Sequence, residues 1–247
     1  MCTLSWTPSA DGYWVFFNRD ERVTRAPGGP PIVRTDDGVR ILAPVDGDFG
    51  GTWIGVNDHG IGAALLNRYE DTPSEPPRGR ISRGLLLTGV LGARSAPALL
   101  ERLTTTDLGV YQPFTIAVFA PAGPINLVDW TGTGLTRSVH AEPGLVRTSS
   151  GRDQREAERV RAEVFRPLEP VGGRLDPVRL RALHRSHQPE RGPFSVCMHR
   201  EEAATQSLTE IHVTARTRSV RYRPGPPCVT DRVVVRRIAA AGTPPTR

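Results

Sequence analysis

The clearest alternation of apolar and polar positions lies at the start of the chain. Residues 13–17, Tyr-Trp-Val-Phe-Phe, are aromatic and β-branched and read as a strand. Residues 3–6 pair with it across the turn cluster Ser9-Ala10-Asp11-Gly12. With Ala10 and Asp11 as the loop, Cys2 faces Arg19. With Asp11 and Gly12 as the loop, Cys2 faces Glu21 and Thr3 faces Asp20. Either register brings residue 2 against Asn18-Arg19-Asp20-Glu21, to within roughly two residues or about 7 Å of strand.

The same patterning predicts strands over 40–44, 52–56 and 61–66, the last two joined by Asn57-Asp58-His59-Gly60. A meander follows over 114–120, 125–130 and 135–139. Strands return over 194–199, 207–215, 220–222 and 229–238. Helical spacing predicts helices over 80–91, over 96–103 with Ser95 as the N-cap, over 152–167 and over 176–187. In the third, Ala157, Val160, Val164 and Phe165 share one face, and acidic and arginine residues cover the other. Residues 25–31 read as a Pro/Gly loop, 46–51 as a tight loop needing positive φ, and 70–80 as a polar Pro-rich loop. Strands, then helices, then strands and helices again make an α+β protein with helices covering antiparallel sheets.

Composition narrows the picture. The 247 residues suffice for a sizeable core, and 25 Gly with 23 Pro imply many turns. No stretch approaches the roughly 18 apolar residues of a membrane span. Three cysteines at wide spacing argue against a disulfide framework and fit a reducing cytoplasm. The net charge is +6 and every basic side chain but histidine is arginine, so lysine chemistry is excluded. The arginine-rich stretches 216–223 and 232–237 read as solvated strand faces; with 6% aromatics and no recognition motif, no nucleic-acid partner is expected. Cys197 reads as a buried hydrophobe, and Cys228 has no assigned role. His184 and His187 share a helix face, but no thiol or carboxylate is placed by the pattern to complete a metal set. They read as surface histidines, and no metal is expected.

Chemistry concentrates at residue 2. Methionine before a small residue is commonly trimmed, and trimming would put an α-amino group of pKa near 8 beside the Cys2 thiol as a built-in base. Arg19 would favour the thiolate or hold a carbonyl or carboxylate, and Asp20 would orient Arg19 or the new amino terminus.

Met1-Cys2, Asn18-Arg19-Asp20-Glu21 and Gly50-Gly51-Thr52-Trp53, in that order, resemble the NRDE family, the transport and Golgi organisation protein 2 group. That group is in turn similar to N-terminal-nucleophile hydrolases of the choloylglycine hydrolase and acyltransferase branch. The resemblance implies a four-layer αββα sandwich, with two stacked antiparallel sheets between helical layers. It implies one domain over 1–238, and residues 239–247 read as a flexible tail. It implies catalysis by Cys2 with Arg19 and Asp20, and an oxyanion donor at Asn67, which ends the second hairpin. Ser149 stands where relatives carry a second oxyanion asparagine, and its hydroxyl reaches less far than an amide. Arg200 is the nearest match to a late arginine of that branch. Glu70 to Arg80 precede Ser82-Arg83-Gly84, a step the family shares. The implied function is an N-terminal cysteine amidohydrolase or acyltransferase that cleaves a small-molecule amide or thioester through an acyl-enzyme, with no cofactor. The alternative is a non-enzymatic haem or acyl-lipid binding and trafficking protein.

Overall fold

In the computed structural model, residues 2–69 and 81–243 are described. Met1, the expected loop 70–80 and residues 244–247 lie outside them. Two antiparallel sheets stack face to face. The first contains β1 (Cys2–Pro8), β2 (Tyr13–Arg22), β10 (Gly144–Ser149), β11 (Ala203–Val213), β12 (Thr217–Pro224) and β13 (Val234–Ala239), in the order β10-β1-β2-β11-β12-β13. The second runs in chain order through β3 (Gly29–Asp36), β4 (Val39–Val45), β5 (Ile54–Asn57), β6 (Gly62–Asn67), β7 (Phe114–Phe119), β8 (Ile125–Trp130) and β9 (Leu135–His140).

Period-two alternation sorts the side chains into three cores. Val15 and Phe17 of β2 meet Ala64 and Leu66 of β6 and Ala117 and Phe119 of β7 between the sheets. The outward residues Ala63, Leu65, Ile116 and Val118 pack under α1 (Arg83–Val90) and α2 (Ala96–Thr105), through Leu87, Leu99 and Leu103. On the opposite outer face, Phe16 and Leu208 pack under α3 (Gln154–Phe165) and α4 (Pro177–His184), through Phe165 and Leu180. The chain is thus the expected four-layer αββα sandwich. Each such buried aromatic or aliphatic side chain contributes about 1.5–3 kcal/mol, which is why the pattern decides the layers. No helix among the described residues is long and apolar enough to cross a membrane.

Several elements depart from the sequence reading for identifiable reasons. Part of the expected loop 25–31 belongs to β3, an edge strand whose prolines fall at a register irregularity between Gly29 and Ile32. Residues 194–199 alternate like a strand but form bends. Their carbonyls are taken by side chains: Arg161 donates to the Phe194 and Ser195 oxygens, and Asn18 Nδ2 to that of Val196. Residues 229–233 precede rather than join β13, because Val229 and Thr230 turn back to the Pro226 carbonyl. Arg218 and Arg223 of β12 are buried rather than solvated. Beyond residue 238 the chain still packs: Ala239 closes β13, and the Ala240 and Ala241 N–H groups donate to the Arg216 and Asp58 carbonyls.

Candidate active site

β1 and β2 pair in the register that follows from an Ala10-Asp11 loop, so Cys2 lies opposite Arg19. On its other side Cys2 lies opposite Ser149 of β10. Strand alternation then divides the tetrapeptide between the two faces of the sheet. Arg19 shares the inner face with Cys2 and Ser149, whereas the Asn18 and Asp20 side chains face the α3/α4 layer.

On the inner side, Cys2 opens on a cleft of about 360 Å³ that Arg19, Asn67, Trp53 and Arg83 also line. Arg19 is fixed there: Nη2 donates to Asp46 Oδ2 at 2.7 Å, and its guanidinium carbon sits 4.6 Å from the centre of the Trp53 ring. Asp46, not Asp20, orients Arg19. Trp53 is the platform for that guanidinium, a cation–π contact. Arg25 closes the rim by donating to Glu21, Asp46 and Asp48 at 2.9, 2.8 and 2.7 Å.

Burial pushes the Cys2 thiol up to about 11, against the pull of the positive chain terminus. The Asp20 carboxylate adds to the rise, and the Asp20 backbone N–H opposes it. Cys2 is therefore a thiol at neutral pH, with Arg19 committed to Asp46; proton removal needs a base. Asn67 ends β6 and lines the same cleft, and its Nδ2 donates to the Tyr69 hydroxyl at 2.9 Å. Ser149 lines an adjoining crevice together with Asn67. Its Oγ is buried and without a hydrogen-bond partner among the described residues. Arg200 is not brought to the cleft; it sits in the turn before β11, paired with Glu202 at 3.0 Å.

On the outer side, Asp20 is buried and accepts from Thr205 Oγ1 at 2.6 Å and from Arg161 Nη2 at 3.3 Å. Burial raises its carboxyl, and Arg161 is the strongest of the groups pulling it down. Arg161 is fully buried, contrary to its reading as part of the solvated face of α3. Its Nη1 donates to Thr3 Oγ1 at 2.7 Å, to Thr148 Oγ1 at 2.6 Å and to the Cys2 carbonyl at 3.3 Å. One guanidinium thus ties β1, β10 and Asp20 together directly beneath Cys2. The sequence carried a signal for it: Arg161 falls four residues after Ala157 and four before Phe165, inside the apolar stripe.

Asn18 is a fastener rather than a cleft residue. Its Nδ2 donates to the His184 and Val196 carbonyls at 2.9 and 2.8 Å. His184, expected at the surface, is completely buried, its ring between Ser5 Oγ at 2.7 Å and Asn18 Oδ1 at 3.0 Å.

The glycine-rich motif shapes the opposite wall. Gly50 adopts φ +69°, as the tight-loop reading requires. Gly51 serves close approach: a Cβ there would lie 2.4 Å from the Gly84 carbonyl carbon. The Thr52 N–H donates to the Gly84 carbonyl at 3.0 Å. Ser82-Arg83-Gly84 therefore divides into an N-cap, a cleft arginine and a contact glycine.

Residues 1–153 match the model of the family described as Transport and Golgi organisation 2. Comparison with curated protein sequences gives no match. Among solved structures, the chain is similar to a conjugated bile acid hydrolase from Clostridium perfringens, with a TM-score of 0.57, 12% identity, and 95% of this chain and 92% of that one covered. It is similar to penicillin V acylase from Agrobacterium tumefaciens, with a TM-score of 0.57, 12% identity and coverages of 94% and 84%. It is also similar to the Caenorhabditis elegans orthologue of N-acylethanolamine-hydrolysing acid amidase, with a TM-score of 0.56, 10% identity and coverages of 94% and 94%. At these identities the likeness carries the N-terminal-nucleophile hydrolase fold alone.

Proposed function

The chain belongs to the Transport and Golgi organisation 2 family, and from its cleft we propose that it is an N-terminal cysteine amidohydrolase or acyltransferase acting on N-acyl amides. The observation that carries this reading is the convergence of Cys2, Arg19 and Asn67 on one cleft, with the unpartnered Ser149 hydroxyl beside them.

Removal of Met1 exposes the Cys2 α-amino group, which takes the thiol proton as sulfur attacks the substrate carbonyl. This base is needed because burial disfavours the thiolate. The oxyanion accepts from the Asn67 amide, which Tyr69 already orients, and from Ser149 Oγ, whose hydroxyl is free to turn to it. The C–N bond breaks as the α-ammonium returns its proton to the leaving amine, and water then hydrolyses the thioester. An amine acceptor in place of water makes the same enzyme an acyltransferase. Arg19 positions the substrate polar group, and Asp20 holds the amino terminus from beneath. Phe49 and Ile81, both large, exposed and on the cleft wall, offer the acyl chain an apolar seat. The likeness to three amide hydrolases supports the reading at the level of fold.

Turnover of a panel of N-acyl amides of graded chain length tests it. Hydrolysis is expected to be lost in Cys2→Ala, and Asn67→Ala is expected to lower kcat by about 10²–10³-fold, as for loss of one oxyanion donor. No turnover by chains that begin at Cys2, with a haemin Soret band lost in Cys2→Ala, would overturn the hydrolase in favour of haem binding.

A further inference from the structure

We propose that His187, Cys197, His199 and Cys228 form a structural zinc site of the Cys₂His₂ type, separate from the cleft.

The four residues come from three irregular segments: the chain after α4, the bends before β11 and the loop between β12 and β13. One ligand atom from each lies within 4.8 Å of every other. Nε2 of His199 is 3.2 Å from Nε2 of His187, 3.6 Å from Cys197 Sγ and 3.4 Å from Cys228 Sγ. Bond lengths of about 2.05 Å to nitrogen and 2.3 Å to sulfur give a tetrahedron with N–N edges of about 3.3 Å and N–S edges of about 3.6 Å. The three edges that meet at His199 thus have the lengths of a zinc-sized tetrahedron, and the other three pairs stay within 4.8 Å. Two thiols and two imidazoles in that shape select zinc over oxygen-loving cations. Four protein ligands leave no open position, so the site is structural. Cys197 is buried while the other three are half-buried, which leaves a route for the ion.

The backbone holds the ligands in place. The Cys197 N–H donates to the Ser186 carbonyl at 2.9 Å, next to His187, and Arg185 Nε donates to the Pro227 carbonyl at 2.8 Å, next to Cys228. Exposed Arg191 stands 3.4 Å from Nδ1 of His199, on the ring nitrogen away from the cluster. Coordination through Nε2 puts the proton on Nδ1 and displaces Arg191 into solvent. The sequence reading lacked thiols for His187; folding supplies two and sends His184 into the core instead.

The site has a structural consequence. The bends it pins also carry the Ser195 carbonyl that accepts from Arg161 and the Met198 N–H bonded to Thr205, which in turn holds Asp20. The ion would thus stand in for the regular structure these bends lack.

The test uses the full chain, kept reduced throughout. Metal analysis is expected to find one equivalent of zinc. After chelation, one equivalent of Co²⁺ is expected to give the d–d bands of a tetrahedral thiolate site. Cys228→Ser and His187→Ala should weaken Co²⁺ binding by more than the about 10–100-fold that outer partners typically carry. Cys2→Ala should leave binding unchanged, which separates this result from any result on turnover. Folded wild-type chain that binds no metal stoichiometrically, or undiminished binding by folded Cys228→Ser, would overturn the proposal.

Discussion

The four consecutive residues of the Asn18-Arg19-Asp20-Glu21 motif divide among three jobs, because a strand sends neighbours to opposite faces. Arg19 enters the cleft, Asn18 and Asp20 fasten the layer beneath, and Glu21 holds Arg25 at the rim. The pairing of Cys2 with Arg19 is one of the two registers that turn chemistry allows, and the fold selects it. Which residue orients Arg19 was not legible, since Asp46 arrives from a loop whose path no local pattern specifies. Arg161 is the most consequential residue hidden among many arginines. Arg161→Met would leave Asp20 buried without its guanidinium, and the expected loss is about 3–5 kcal/mol, read as a fall in the urea midpoint. Adding Asp20→Asn is expected to return part of that loss; a midpoint unchanged by Arg161→Met would refute the role given to this contact.

At the scale of elements, the cleft wall depends on two glycines that let the 46–52 loop touch the start of α1. Gly51→Ala forces a Cβ against the Gly84 backbone. The expected cost is about 1–3 kcal/mol of overpacking, seen as a lower melting temperature, with loss of turnover as α1 and Arg83 shift. α4 carries a pH dependence. Burial and the Arg161 charge lower the His184 pKa to about 3, from 6.5 for an ordinary imidazole. Between those values the unfolded chain binds a proton that the folded chain excludes. Stability is therefore full above about pH 6.5 and falls as pH drops, by up to about 1.4 kcal/mol per pH unit from this group. Denaturation midpoints from pH 4 to 7, on the order of the window these pKa values bracket, are expected to flatten in His184→Gln. Helical spacing gave α4 but not its burial, because a histidine fits either face. The bends at 194–199 depart from the expected strand for a related reason: their alternation is real, but side chains from β2 and α3 take their carbonyls.

For the whole molecule, the layers followed from alternation once the resemblance had supplied their number. What no local pattern reveals is the order of the first sheet, in which β2 lies between β1 and β11, its partner from far along the chain. The family match ends at residue 153, yet Arg161, Thr205 and the β11 edge that covers β2 lie beyond it. A fragment of residues 1–153 would expose the long apolar strand β2 as an edge. It is expected to aggregate, or to lack cooperative unfolding by circular dichroism; a monomeric, cooperatively unfolding fragment would contradict this dependence. The chemistry likewise rests on the chain as a unit, since the cleft joins both sheets and α1. Labelling the full chain with a cysteine-reactive acyl probe and mapping the adduct by peptide mass spectrometry tests the central claim directly. The label is expected on Cys2 of chains lacking Met1, displaced by an N-acyl amide. Label confined to Cys197 or Cys228, or Met1 retained on the labelled chains, would contradict it.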